Sequence, residues 1–248
     1  MISFYTFFNV FSCVVLLIYN LLHYKEKKLL IGGVSLSAIK HFEEKNNKRI
    51  FARIGFWTVL EIILISTFQY FLVVCYNKGF GNLVNTGANY FGTLFFAPLV
   101  LLAVCKLLKI NILQQMDLIT PGYPLGLVFV KIACYFGGCC RGIAWEDGFY
   151  NPISRQIEFP IQLLESAVAL LLFLLLLLCK KKIITGTMFP IYLIAYSVLR
   201  FCTEFLRVEP EVFIGLKTYQ LLCIAGVIIG AIEYYVVSKY YTSIKVKE

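Results

Sequence analysis

Apolar residues in this chain fall in long unbroken runs, with polar residues collected between them. Seven runs cover residues 2–22, 50–76, 89–109, 118–138, 160–179, 184–206 and 212–237. A helix needs about 20 apolar residues to cross the hydrocarbon core, and each run is close to that length or longer. Membrane strands would show shorter segments with strict alternation, which these runs lack. The expected fold is therefore all-α: a polytopic integral membrane protein of seven transmembrane helices, with residues 1–248 forming a single transmembrane domain. Of the connections between spans, 23–49 is expected to lie inside. The segment 139–159 is the longest outer one and the only one rich in polar residues. There is no internal repeat or low-complexity tail.

Composition supports this pattern. The chain is 60% hydrophobic and 15% charged, with a mean hydropathy of +0.79. A soluble domain of this length is nearer half apolar and a quarter charged, so a free-standing soluble globule and a disordered chain are both excluded. The net charge of +9 could suggest nucleic acid, but its placement argues otherwise. Nothing before His23 is charged, and Lys25, Lys27 and Lys28 follow the first run. That order is the reverse of a signal peptide, so a retained span with its N-terminus outside is expected. With this arrangement sixteen of the 23 Lys and Arg residues fall in inner segments or at inner span ends, five in outer segments or at outer span ends, and two, Lys131 and Arg200, deeper within spans. The asymmetry orients the bundle with its N-terminus outside and its C-terminus inside. The basic charge is then a topology signal, with attraction to anionic inner-leaflet lipid, and no nucleic-acid partner is expected.

Charges within the spans are costly, about 2.5–3.5 kcal/mol each on insertion scales, and so carry information. Glu61, Lys131, Glu165, Arg200, Glu204 and Glu233 make up the set. Lys131 lies in the outer half of the fourth span, Glu165 near the outer end of the fifth, and Arg200 and Glu204 in the last third of the sixth. Three helices therefore bring charge to one depth in the outer leaflet. Tyr196, Arg200, Glu204 and Arg207 recur at helical spacing and share a face. Gln162 and Glu165 share another, just after Pro160, a residue suited to a first helical turn. Lys131, Glu165, Arg200, Glu204 and Arg207 sum to +1. A slightly cationic pocket at that depth suits an anionic lipid headgroup, because arginine's planar fork matches phosphate. The alternative is that Lys131–Glu165 and Arg200–Glu204 are structural ion pairs.

Most of the nine cysteines lie in spans, where they act as small apolar residues. Cys139 and Cys140 sit in the outward turn Gly137-Gly138-Cys139-Cys140-Arg141-Gly142. No histidine is near and the spacing matches no zinc pattern, so no metal is expected. A small-residue turn is the leading reading, with a redox or nucleophilic role as its rival. The glycines would let backbone amides approach a ligand.

The run from Lys131 to Gly142, Lys-Ile-Ala-Cys-Tyr-Phe-Gly-Gly-Cys-Cys-Arg-Gly, resembles the signature of the bacterial prolipoprotein diacylglyceryl transferases. Phe159-Pro160-Ile161-Gln162-Leu163-Leu164-Glu165 is similar to that family's His-Pro-x-Gln-Leu-Tyr-Glu block. Tyr196 to Arg200, then Glu204-Phe205-Leu206-Arg207, is similar to its Tyr-x-x-x-Arg-x-x-x-Glu-Phe-x-Arg helix. Gln220 resembles the glutamine that opens its last helix, with Tyr219 in place of glycine. Phe4-Tyr5 resembles its Trp-Tyr, and Asn89-Tyr90-Phe91-Gly92-Thr93 stands where it has Phe-His-Gly-Gly. The departures are Lys131 for the family's arginine, Gly137-Gly138 for its Asn-Gly, and Phe159 and the Phe91 region for its histidines. The two histidines here, His23 and His41, belong to the inner side in the expected topology.

The resemblance implies transfer of the diacylglyceryl group of phosphatidylglycerol, or a similar anionic phospholipid, to the thiol of a lipobox-containing protein precursor. It implies a multi-pass protein of the bacterial cytoplasmic membrane, chemistry at its outer face and no cofactor. Carried onto this chain, the catalytic set is Arg200, Lys131, Tyr196 and Glu204. The binding set is Tyr5, Gly137, Gly138, Gln162, Glu165, Arg207 and Gln220. Arg200 and Lys131 would hold the phosphate, Glu204 and Glu165 would orient them, and Tyr196 would bond the headgroup or assist proton transfer. The missing histidines leave open a same-fold paralogue with another lipid or acceptor, or one that binds lipid without catalysis. A small transporter is a third reading, disfavoured because the polar residues cluster in one leaflet.

Overall fold

Proline and glycine punctuate the apolar runs, and some helix ends fall at them, at Pro121, Gly138 and Pro160. The structure, a computed structural model, describes residues 112–245 apart from 152 and 181, together with helical positions between 90 and 102. The expected spans 2–22 and 50–76 and most of 89–109 lie outside the described residues, as do Tyr5, His23, His41 and Glu61. Residues from Asp117 onward belong to one compact unit, and the helical positions at 90–102 to another. In the latter, Phe91 and Leu94 are buried, and the Phe91 and Phe95 rings lie 5.6 Å apart.

Helix α1 (Ile112–Ile119) ends at a turn through Thr120 and Pro121, and α2 (Gly122–Gly137) follows at once. The Tyr123 amide donates to the Thr120 carbonyl at 3.1 Å across this turn. Helix α3 (Ile161–Cys179) starts directly after Pro160, whose carbonyl accepts from the Leu163 amide at 3.0 Å. The proline expected in the first turn is thus the N-cap, one position before the helix, where its missing N–H costs nothing. Helix α4 (Met188–Glu204) has no capping side chain of its own. Asp117, distant in sequence, supplies one: its carboxylate accepts from the Gly186 and Met188 amides at 2.6 and 3.1 Å. A carboxylate there satisfies orphan donors and complements the helix dipole. Helix α5 (Thr218–Lys245) completes the set.

Helix α2 packs along α3, α3 along α4, and α4 along α5. At the last contact Gly230 lets the backbones close: a Cβ there would lie 2.8 Å from Ile194 Cγ1. Gln115–Gly137, Ile161–Cys179 and Thr218–Lys239 are each long and apolar enough to cross a membrane. Leu171, Leu174 and Leu178 of α3 and Ile228, Ile232 and Val236 of α5 are exposed. Such apolar helix faces suit hydrocarbon rather than water.

Helix α3 begins one residue after the start of the apolar stretch 160–179 and ends with it, and α4 is shorter than the stretch 184–206. Two departures concern the polar connections. The strictly all-α expectation omits two small antiparallel hairpins. Strands β1 (Ala144–Asn151) and β2 (Gln156–Glu158) pair within the 139–159 connection. Strands β3 (Glu211–Phe213) and β4 (Leu216–Lys217) occupy what the apolar pattern assigned to the start of span 212–237. There the left-handed residues Ile214 and Gly215, at φ 49° and 71°, turn the chain, and the helix begins only at Thr218. Hydropathy averaged over the run conceals this turn.

Candidate functional site

Lys131 lies on α2 six residues before its end, Glu165 in the second turn of α3, and Arg200 and Glu204 in the last turns of α4. These three helix ends meet, so the residues expected at one depth come together. Glu165 is the hub. Its Oε2 is 2.6 Å from Lys131 Nζ, and its Oε1 is 2.9 Å from Arg200 Nη1 and 3.2 Å from Arg207 Nη1. Arg200 Nη1 also lies 2.5 Å from Glu204 Oε2, one helical turn on. All five side chains are buried, Glu204 completely. Three cations and two carboxylates leave the cluster at +1, as the sequence sum required.

Both expected pairs, Lys131–Glu165 and Arg200–Glu204, therefore exist, but as parts of one network. The network does not satisfy itself. The Arg200 contacts are ion pairs off the hydrogen-bonding direction. Arg200 Nη1, Arg207 Nε, both Glu204 oxygens and Gln220 Nε2 are buried without a hydrogen-bond partner among the described residues. Arg200 Nη1 and Glu204 Oε2 have each other as ion partners, which leaves Glu204 Oε1, Arg207 Nε and Gln220 Nε2 as the buried atoms able to bond a further molecule.

Beside the charges lies a small cleft of about 10 Å³, room for roughly one water, lined by Lys131, Glu165, Tyr196, Arg200 and Thr203 and by Leu127, Val168, Ala169, Leu172 and Leu199. Leu127 lies one turn before Lys131 on α2, and Val168, Ala169 and Leu172 lie beyond Glu165 on α3. The polar end is thus at the helix ends and the apolar part deeper along the helices. Tyr196 is buried on the face of α4 that carries Arg200. Tyr219, which stands where the resembled family has glycine, places its ring 5.2 Å from the Arg200 guanidinium carbon. That contact adds a cation–π attraction holding the arginine.

The connections hold Arg207 in place. Gly142 bridges to Arg207, the Ile143 amide donates to the Leu206 carbonyl at 3.0 Å, and the Val208 amide to the Arg141 carbonyl at 3.2 Å. Gly142 must be glycine, since a Cβ would sit 2.1 Å from the Phe159 carbonyl oxygen. Gly138 ends α2 in the left-handed region, φ 67°, with its amide on the Tyr135 carbonyl. Gly137 is the last residue of the helix. Gln162 does not face the charges: its Nε2 donates to the Cys139 carbonyl at 2.7 Å and pins the glycine turn to α3. Gln220 is buried, and its Oε1 accepts from the Lys217 amide at 2.9 Å. Tyr5 lies outside the described residues.

Sequence reasoning missed several members. Lys217 Nζ donates to the Glu204 and Arg207 carbonyls at 2.8 and 2.7 Å, closing the end of α4. Glu158 and Asn151 are buried in the β1–β2 hairpin. Arg141 Nε donates to Glu158 Oε1 at 2.7 Å, and Asn151 Nδ2 to Glu158 Oε2 at 3.0 Å and the Gly138 carbonyl at 3.3 Å. Burial works against the Glu158 charge, but Arg141 and Asn151 outweigh it and hold its carboxyl below the usual range. No local spacing announces these contacts, because the hairpin register creates them.

The family model described as prolipoprotein diacylglyceryl transferase matches residues 3–236. A relative from Clostridium perfringens, named phosphatidylglycerol–prolipoprotein diacylglyceryl transferase 2, is 34% identical over 56% of this chain and 57% of its own length. One from Clostridium tetani, of the same name without the numeral, is 28% identical over 62% and 64%. A third, from Ehrlichia canis, is 30% identical over 74% and 78%. The alignments with the two clostridial relatives thus span about six-tenths of their lengths. With the model matching nearly end to end, and the Lys131, Gln162–Glu165 and Tyr196–Arg207 blocks meeting around one cluster, the chain belongs to the prolipoprotein diacylglyceryl transferase family.

Proposed function

We propose that this protein transfers the diacylglyceryl group of phosphatidylglycerol to the cysteine thiol of a lipobox-containing precursor. The observation that carries the reading is the cleft itself, cationic at the helix ends and apolar deeper down. That polarity matches a phospholipid, with phosphate at the charges and acyl chains along the apolar wall. Arg200 and Lys131 bind the phosphate and stabilise charge on the departing glycerol phosphate, and Arg207 adds to the field. Glu165 and Glu204 orient the cations, and Tyr196 bonds the headgroup. The donors Arg207 Nε and Gln220 Nε2, which make no hydrogen bond among the described residues, suit phosphate oxygens, and Glu204 Oε1 suits a headgroup hydroxyl.

In the reaction the acceptor sulfur attacks the glyceryl carbon that bears the phosphate ester. A carbon–sulfur bond forms, the carbon–oxygen bond breaks, and its electron pair leaves on the phosphate oxygen. The thiol proton passes to solvent or to the leaving group. A free cysteine titrates near pH 8.5, and a cluster of net positive charge favours its thiolate, so the absent histidines do not prevent the step.

The reading includes a seven-span bundle in one domain, N-terminus outside and C-terminus inside, in the bacterial cytoplasmic membrane. Labelling of introduced cysteines by an impermeant reagent tests it: Ser154 and Lys217 positions should react from outside, and Lys181 should not. The activity test uses purified protein in vesicles with a lipobox peptide. Thioether-linked diacylglycerol should form with phosphatidylglycerol and not with phosphatidylethanolamine alone. Lipid retention without transfer would instead favour a binding paralogue.

A further inference from the structure

Three thiols converge at the end of α2. The sulfur atoms of Cys134, Cys139 and Cys140 all lie within 4.8 Å of one another, and Cys134 Sγ and Cys140 Sγ are 3.9 Å apart. An ion held by thiolates at about 2.3 Å requires sulfur–sulfur edges of about 4 Å, whether three or four ligands surround it. The Cys134–Cys140 edge already has that length, and with every edge within 4.8 Å a contraction of less than about 1 Å completes the ligand set.

The backbone produces this convergence at a cost. Gly138 reverses the chain in the left-handed region at φ 67°, and Cys140 follows there at φ 57°. A side chain rarely adopts that conformation, and the strain persists only where the surroundings hold it. The reversal folds Cys139 and Cys140 back onto Cys134, one helical turn before the end of α2. The Cys139 carbonyl is held from outside by Gln162 at 2.7 Å. Cys134 is buried while Cys139 and Cys140 are half-buried, so an ion has a protein-filled side and an open side.

We propose that Cys134, Cys139 and Cys140 form a three-thiolate site for one soft, thiophilic metal ion of the zinc or cadmium class, with the open position left to water. Three thiolates around a divalent ion carry a net charge of −1. Lys131 and Arg207 lie near enough to Cys140 to interact with its charge and offset it. On binding, each thiol still protonated releases its proton to solvent and no electron moves. A disulfide would use only two of the three sulfurs, and the adjacent pair Cys139–Cys140 is poorly placed for one. Linear spacing hides the site because two ligands are neighbours and the third lies on the preceding helix. The inference is independent of the transferase reading.

The test titrates the reduced full-length protein in detergent with cadmium. A sulfur-to-metal charge-transfer absorption should saturate at a single equivalent and raise the melting temperature. Cys139→Ser with Cys140→Ser should abolish both effects, whereas Cys179→Ser with Cys202→Ser should leave them. A melting curve of each metal-free variant establishes that it is folded. Absence of the band in reduced wild-type protein overturns the proposal, as does a band that survives in the first double variant. A Cys134–Cys140 disulfide in protein isolated without reductant overturns it in favour of a redox pair.

Discussion

Glu165 Oε2 lies 2.6 Å from Lys131 Nζ, while the other oxygen of the same carboxylate meets Arg200 and Arg207. One acidic side chain on α3 thus joins cations from α2, from α4 and from the segment after α4. Its charge makes it possible to bury three cations together, and its position places them around one cleft.

Glu165→Gln should therefore cost more than its size suggests. Removing one partner of a buried ion pair typically destabilises by about 3–5 kcal/mol, because the remaining charges stay buried. Thermal unfolding in detergent should show a clear drop, accompanied by loss of transfer. An unchanged melting curve would mean that Glu165 does not hold the network.

Arg200 is expected to dominate the chemistry. Arg200→Ala should lower the transfer rate by about 10²–10³, the usual effect of deleting a preorganised donor to developing negative charge. Arg200→Lys should fall between, since it keeps the charge but loses the planar fork and much of the stacking on Tyr219. Initial rates with a lipobox peptide decide this, and full activity in the alanine variant would remove the assigned role.

Lys131 stands where the resembled family signature has arginine. Lys131→Arg should keep transfer within a few-fold of wild type, because the longer fork can still reach Glu165 and phosphate. Lys131→Met should lose about two orders of magnitude. Equal activity in all three proteins would assign Lys131 to structure alone.

Gly142→Ala tests the 139–159 connection. Its added Cβ would meet the Phe159 carbonyl oxygen at 2.1 Å, a backbone clash that no side-chain rotation relieves. A destabilisation of about 1–3 kcal/mol is expected, typical of overpacking. The Gly142–Arg207 bridge should loosen with it, so the apparent KM for lipid should rise. A variant with wild-type melting and KM would contradict this link.

The β1–β2 hairpin should respond to acid. Glu158 has its carboxyl held below the usual range, so its bonds to Arg141 and Asn151 stabilise the fold fully above about pH 4.3, the unfolded glutamate value. That contribution is lost as pH falls through the lower folded value. Hydrogen exchange at Ile153 and Arg155 amides should speed up over that acid range. Glu158→Gln should show fast exchange already at neutral pH, and a flat profile in both proteins would count against the arrangement.

Reading the chain alone located much of this site. Four-residue steps from Tyr196 to Glu204 put those side chains on one face whatever surrounds the helix. Charges within apolar runs also stand out because hydrocarbon penalises them. By contrast, Glu158, Asn151 and Lys217 looked like ordinary polar loop residues. Their roles arise from hairpin pairing and from backbone carbonyls at a helix end, neither of which has a local spacing. The apolar run beginning at 212 misled for a related reason: hydropathy does not register a left-handed turn at Ile214 and Gly215.

From the sequence by itself come the membrane-length helices, the depth shared by Lys131, Glu165, Arg200 and Glu204, and the +1 sum of the cluster with Arg207. These follow from helical periodicity and the cost of charge in hydrocarbon, both of which act along the chain. Only the tertiary structure decided which charges pair, with Glu165 at the centre and Glu204 on Arg200. It alone folded Cys139 and Cys140 back onto Cys134. Ion pairing and ligand convergence depend on distances of a few ångströms between segments remote in sequence, which packing and turn geometry set.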